Sequence, residues 1–111
     1  MKKIGIATLN KPTECFYPHE VMYLKGEGDY THIAIAVDAT TERKLTASNT
    51  IKHYERMLPP DKFIRTSKNF IVSLDFVAAI DGDTIILKKP ATENATLSKE
   101  YKDNLDIRIL K

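Results

Sequence analysis

Apolar and polar side chains alternate along much of this chain, and short polar or glycine-containing segments interrupt the pattern. Over 30–37 the period is two, which is typical of a strand with one buried face. Gly26 and Gly28 separate this run from an apolar run at 20–25, so the two runs predict an antiparallel pair. Further strands are predicted at 3–9, 43–47, 63–66, 69–74, 77–80 and 84–88, with a tight hairpin turn at Asp81-Gly82-Asp83.

Helical spacing of apolar residues is confined to a small part of the chain. It predicts one short helix near 49–58, with Ser48 or Asn49 as N-cap and Pro59-Pro60 as its end. Ser98 is placed to cap a final helical turn near the C-terminus. Many short strands with one helix predict a mostly β domain, sandwich-like or barrel-like, and disfavour a βαβ fold.

Composition indicates an ordinary globular domain. The 111 residues, 42% of them hydrophobic, suffice for one compact unit with a buried core. The net charge of +2 is compatible with a polyanionic partner, but many enzymes share this balance. Charge therefore becomes informative only once the fold shows where the basic residues lie.

Residues for catalysis or metal binding are sparse in the sequence. Cys15 has no second cysteine to pair with, so we expect a partly buried thiol in a reducing compartment, the cytoplasm. His19, His32 and His53 lack the spacing of metal ligands, and Gly26-Glu27-Gly28 opens no helix that could hold a phosphate. We therefore expect no enzymatic activity, no metal, no cofactor and no membrane span. A Cys–His nucleophile pair remains the least favoured alternative.

Three ordered motifs carry a family resemblance. Residues 19–31 run from an apolar strand through an acidic, glycine-containing turn into Tyr30-Thr31. After the helix, residues 63–74 contain Phe-x-Arg, a basic residue and an aromatic-Ile-Val run, and Leu97-Ser98-Lys99 is followed by Tyr101. In this order and spacing, over about residues 17–108, the chain resembles the LytTR DNA-binding domain, the effector domain of bacterial response regulators.

The resemblance implies both an architecture and a partner. The architecture is an elongated arrangement of about three small antiparallel sheets with one short helix. Residues 1–16 would form an N-terminal strand and turn, and 17–111 the LytTR-like domain. The partner is double-stranded DNA, bound from one side by loops that enter successive major grooves. Because the family's sites are direct repeats in promoters, two copies are expected to bind as a pair.

The resemblance also assigns DNA contacts residue by residue. Thr31 and His32 would make the first contact, Lys68 and Asn69 the second, and the start of the last helix the third. Lysine can donate to guanine or phosphate, and asparagine can pair with adenine. The complete set of implied DNA-binding residues is Thr31, His32, Arg65, Lys68, Asn69, Lys99 and Lys102.

The chain departs from the family pattern at three positions, and two of these departures, Ser67 and Asn69, together with the expected lack of a receiver domain ahead of the match, motivate a second hypothesis. Many members carry His where Ser67 stands, Ser where Asn69 stands and Asn where Ser73 stands. The alternative is therefore a protein-binding module of the same fold, which pairs with a related regulator and has weak DNA affinity. The two hypotheses differ in whether the isolated chain retains DNA.

Overall fold

The computed structural model describes residues 2–8 and 11–109 of the chain, with side chains of the last helix described at 99–103 and 105. Its principal dimensions are 39 × 29 × 25 Å. Leu9 and Asn10, which belong to the predicted opening strand and turn, lie outside the described residues, as do residues 110–111 of the predicted domain.

The described residues form ten strands and two α-helices, with 3-10 turns at Pro18–Glu20 and Leu74–Phe76. The helices are α1 (Ile51–Met57) and α2 (Lys99–Ile109). The strands are β1 (Ile4–Ile6), β2 (Glu14–Phe16), β3 (Val21–Glu27), β4 (Tyr30–Ala36), β5 (Glu42–Ala47), β6 (Phe63–Ser67), β7 (Phe70–Ser73), β8 (Val77–Asp81), β9 (Thr84–Leu87) and β10 (Ala95–Thr96).

All strand pairs are antiparallel, and they form three separate sheets. The largest has five strands in the order β5-β4-β3-β7-β6, while β1-β2 and β10-β9-β8 form smaller sheets. The predicted architecture of about three small antiparallel sheets with a short helix is therefore confirmed. The pairing of β3 with β4 and the hairpin turn between β8 and β9 are also confirmed.

The five-stranded sheet is covered on both faces, so the protein has three layers. Leu24, Ile33 and Ile71 belong to an apolar cluster shared with β1 and α1. Tyr23 and Val72 belong to a second cluster shared with β9, β10 and α2. A register shift between Val21 and Tyr23 accounts for Met22 and Tyr23 joining the same cluster, because a bulge interrupts the alternation of faces.

Several local predictions differ from the structure. The N-cap position of α1 is Thr50, one residue after the predicted Asn49, and its side chain makes no capping hydrogen bond. The final helical turn is in fact α2, eleven residues long, because Leu105 is fully buried and packs it into the second cluster. Cys15 lies in β2 and is exposed, because its side chain is on the face of the β1-β2 ribbon opposite the buried isoleucines of β1.

Glycine occupies the first position of two of the two-residue hairpin turns. Gly28, between β3 and β4, has φ of 59°, and Gly82, between β8 and β9, has φ of 62°. Residues with a Cβ atom adopt this left-handed conformation only at a cost, whereas glycine adopts it freely. The turn geometry and the right-handed twist of the flanking strands therefore both favour glycine here.

Replacing Gly28 by alanine should destabilise the fold through backbone strain alone. Nothing lies within 4 Å of a Cβ added at this position, so no steric contact contributes. We expect Gly28→Ala to lower the free energy of unfolding by about 1–2 kcal/mol. Gly28→Asn should cost less, because asparagine tolerates this conformation. Urea unfolding monitored by circular dichroism measures both, and equal stability of the alanine variant and the wild type would contradict this account.

Candidate nucleic-acid interface

Two hairpin turns lie side by side at one end of the five-stranded sheet. Residues 28–29 join β3 to β4, and residues 68–69 join β6 to β7. Strand β3 pairs with β7 in the register Lys25 to Phe70, and the Gly26 N–H donates to the Asn69 carbonyl at 2.8 Å. We call this end of the sheet the turn end. The pairing brings together two of the three motifs on which the family resemblance rests.

The third motif meets the same end through the edge strand β6. The Ser98 N–H donates to the Thr66 carbonyl at 2.8 Å, and α2 begins at the next residue. Lys99 and Lys102 are exposed and three residues apart, so they share one face of α2. The structure therefore brings the start of α2 beside the turn at 68–69.

Lys68 and Asn69 have exposed side chains on a fixed backbone. The Asn69 N–H donates to Ser67 Oγ at 3.3 Å, and the Asn69 carbonyl accepts the bond from Gly26. Ser67 and Phe70, on either side, are buried. The backbone of this turn is therefore held in place, while both side chains are exposed to solvent.

Thr31 does not fit the contact predicted for it. Its side chain is fully buried, and Oγ1 donates to the Asn49 carbonyl at 2.8 Å. This bond joins β4 to the loop that leads into α1. We therefore assign Thr31 a structural position behind the turn end and omit it from the contact residues.

His32 points to the opposite face of the sheet from Thr31, as successive strand residues do. Its side chain is 31% exposed, and Nε2 lies 2.8 Å from Glu27 Oε2. Nδ1 lies 3.2 Å from Thr46 Oγ1. The ring is accessible at the rim of the turn end, next to a carboxylate.

Arg65 is largely withdrawn from solvent. Its side chain is 15% exposed, and Nη1 donates to Glu55 Oε1 at 2.7 Å. Other guanidinium nitrogens donate to the carbonyl oxygens of Ser67 and Lys68. Of the seven predicted residues, four have exposed side chains: Lys68, Asn69, Lys99 and Lys102. His32 is partly exposed, with both ring nitrogens engaged by protein partners.

Comparisons with known proteins give the family. Residues 14–109 match the family model described as the LytTr DNA-binding domain. This chain belongs to the LytTR family. A solved structure, the LytTr DNA-binding domain of a Bacillus cereus protein described as a methyl-accepting/DNA response regulator, superposes with a TM-score of 0.75 at 21% identity, covering 98% of this chain and 97% of that one. A search of curated proteins finds no match.

Two residues of this LytTR domain extend the candidate interface beyond the predicted set. Tyr30 follows the turn at 28–29 and is 42% exposed. Lys52 is exposed in the first turn of α1, and the neighbouring Ile51 packs against Gly26. An aromatic residue directly after a glycine turn is a signal that sequence reasoning could have used. Lys52 had no such signal, because only the fold brings α1 to the turn end.

Two other lysines of the LytTR domain are engaged in an ion-pair cluster. Glu93 Oε1 and Oε2 lie 3.3 Å from Lys25 Nζ and 2.7 Å from Lys44 Nζ. Partial burial acts to raise the pKa of Glu93, but hydrogen bonds and charge from Lys44 and Lys25 outweigh it and hold the pKa below its ordinary value of 4.5. This single carboxylate therefore offsets one of the two positive charges, and both ammonium groups are engaged with it.

Other site types have little support among the described residues of this LytTR domain. Within 2–8 and 11–109, no three His, Cys, Asp or Glu side chains group as a metal site requires. No helix in the described part of the chain is long and apolar enough to cross a membrane. The turn end is thus the surface on which a functional interpretation rests.

The Glu93 cluster predicts a pH-dependent loss of stability. Because the folded-state pKa is lowered, the contribution is present above pH 4.5 and is lost as the pH falls through the lowered value. Glu93→Gln should lower the free energy of unfolding by about 0.5–1 kcal/mol at pH 7, a small effect because both lysines are exposed. The difference from wild type should shrink as the pH falls below 4.5 and disappear once Glu93 is protonated in the folded state. Urea unfolding at several pH values tests this, with Glu100→Gln as control; a difference that persists in acid would contradict it.

Proposed function

We propose that this LytTR domain is a sequence-specific transcriptional regulator that binds promoter DNA through side chains at its turn end. The observation that carries the proposal is the convergence of the turn at 68–69 and the start of α2. Lys68 is exposed in that turn and Lys99 and Lys102 at the start of α2, and the Ser98–Thr66 hydrogen bond joins these two segments, about thirty residues apart in sequence. Such a basic group of residues, displayed on a folded surface, is the electrostatic pattern expected of a DNA-binding face.

The exposed residues suit different parts of a duplex. Lys68 and Asn69 protrude from a tight turn, so they are placed to enter a major groove and donate to base edges, each good bidentate contact contributing about 1–3 kcal/mol of discrimination. Lys99 and Lys102 share one face of α2 and suit the adjoining backbone or groove. His32 lies at the rim, where a contact with DNA would replace its bond to Glu27 or Thr46. Phosphate contacts orient the protein without reading sequence.

Molecular size supports a short footprint. The longest dimension of 39 Å is close to one helical turn of B-DNA, about 34 Å. With that axis along the duplex, one domain can reach two successive major grooves on one side, but few base pairs. Two copies on direct repeats would supply the discrimination that a single footprint lacks.

Burial of Ser67 bears on the alternative, a protein-binding module with weak DNA affinity. Ser67 is 6% exposed and its hydroxyl accepts a bond from Asn69, so this departure from the family pattern removes no exposed donor from the surface. Ser73 is likewise buried, at the far end of β7. We therefore favour DNA binding. Co-purification of a partner chain without retention of DNA would favour the alternative.

DNA affinity should fall steeply with salt. If about three to five phosphates are neutralised, raising salt from about 50 to 200 mM should weaken binding about 50- to 500-fold, because condensed counterions are released on binding. Fluorescence anisotropy with a duplex from the chain's own upstream region measures this. A flat salt response, or no binding to that duplex, would contradict the proposal.

Lys68→Ala and Lys102→Ala should have different consequences. Lys68→Ala should relax preference at one position of the binding site and cost about 1–3 kcal/mol there. Lys102→Ala should weaken all duplexes alike and reduce the salt slope by about one. Titrations against a panel of single-base variants of the duplex measure both effects.

Lys62 provides a matched control for these variants. It is exposed and directly precedes β6, at the opposite end of the hairpin from Lys68. Lys62→Ala should leave affinity and preference near those of wild type. Identical behaviour of the Lys68 and Lys102 variants would overturn the division of roles, and an equal loss in the Lys62 variant would overturn the location of the interface.

A further inference from the structure

Arg65 is placed where three parts of the turn end meet. It lies on the edge strand β6, three residues before Lys68, at a register shift between Arg65 and Ser67. Strand β6 ends at this bulge, so the carbonyl groups that follow need partners from outside the strand ladder.

The Arg65 guanidinium group donates to two of these carbonyl groups and also contacts both helices. Nε donates to the Ser67 carbonyl at 2.9 Å, and Nη2 donates to the Lys68 carbonyl. Nη1 donates to Glu55 of α1 at 2.7 Å. The guanidinium carbon lies 6.0 Å from the centre of the Tyr101 ring of α2, within range of a cation–π contact.

We propose that Arg65 is a positioning residue that holds the turn at 68–69 in place relative to α2, and that it does not contact DNA. The inference rests on the proposed function and replaces the DNA contact that the family resemblance implied for this arginine. Arginine suits this role because its planar group presents several donors in fixed directions. Glu55 orients the group and neutralises its charge.

A phosphate-contacting Arg65 would give the opposite response to loss of Glu55. If Glu55 merely restrained an arginine that reaches for DNA, Glu55→Gln would free that arginine, remove a negative charge and raise affinity. If Arg65 positions the turn, the same substitution loosens the group that holds Lys68 and Asn69. Affinity for the preferred duplex should then fall by about threefold to tenfold, with an unchanged salt slope.

Arg65→Lys separates charge from geometry. Lysine keeps the positive charge but cannot donate to two carbonyl groups and a carboxylate in a fixed planar arrangement. We expect the lysine variant to lose about tenfold in affinity, comparable to Arg65→Ala, and to lose base preference where Lys68 acts. Retention of most of the binding by Arg65→Lys, with a salt slope lower by about one in Arg65→Ala, would overturn the proposal.

Glu100→Gln is the matched control for Glu55→Gln. Glu100 is exposed in the first turn of α2, so its loss removes a carboxylate near the same surface but leaves the contacts of Arg65 intact. Its affinity should equal or slightly exceed that of wild type. A fall in affinity like that of Glu55→Gln would show a general charge effect and overturn the assignment.

Amide hydrogen exchange in the free protein tests the role of Arg65 without DNA. In Glu55→Gln and Arg65→Lys, exchange at Asn69 and Gly26 should accelerate about tenfold or more, while amides in the centre of β4 remain protected. Unchanged exchange at Asn69 would overturn the positioning role even if DNA affinity fell. Conversely, accelerated exchange in a protein whose wild type binds no duplex would support the role of Arg65 and reject the proposed function.

Discussion

The pairing of β3 with β7 is the constraint on which the rest of the structure depends. It joins two hairpins that are about forty residues apart in sequence, and it determines which residues of each lie opposite one another. Because the sheet is buried on both faces, a shift of one residue would move Leu24 and Ile71 into the wrong cluster. Core packing therefore sets how far each of the two hairpin turns extends beyond the end of the sheet. The turns themselves have little freedom to change this.

Much of the fold could be predicted because its strands have local signals. The period of two over 30–37 and the glycine turns at 28 and 82 each specify a neighbouring pair of strands. By contrast, β2 and β10 have three and two residues, too few for a period to show. The length of α2 was missed because its sequence is mostly charged, and burial of Leu105 against the sheet supplies the stabilisation that the local pattern lacks.

The candidate site was predictable in place but not in orientation. Alternation shows that Thr31 and His32 point to opposite faces, but both faces of this sheet are covered, so the period does not tell which residue is exposed. The orientation of Arg65 could not be predicted either, because its partners on α1 and α2 come from elsewhere in the chain. Glu93 and Lys25 are 68 residues apart in sequence, so no local pattern could have shown that this lysine has a carboxylate partner.

The turn at 68–69 has a consequence for how such a domain can change over evolutionary time. Its two exposed residues lie between buried neighbours, Ser67 and Phe70. The exposed residues can therefore be substituted while the buried residues that support the turn are kept. On the proposed function, exchange of one or two amino acids at this turn would give such a domain a new target site. A DNA-binding helix that contacts bases along its whole length would need coordinated substitutions at several positions to change its target site. With the contacts proposed here on one short hairpin turn, fewer substitutions would be needed.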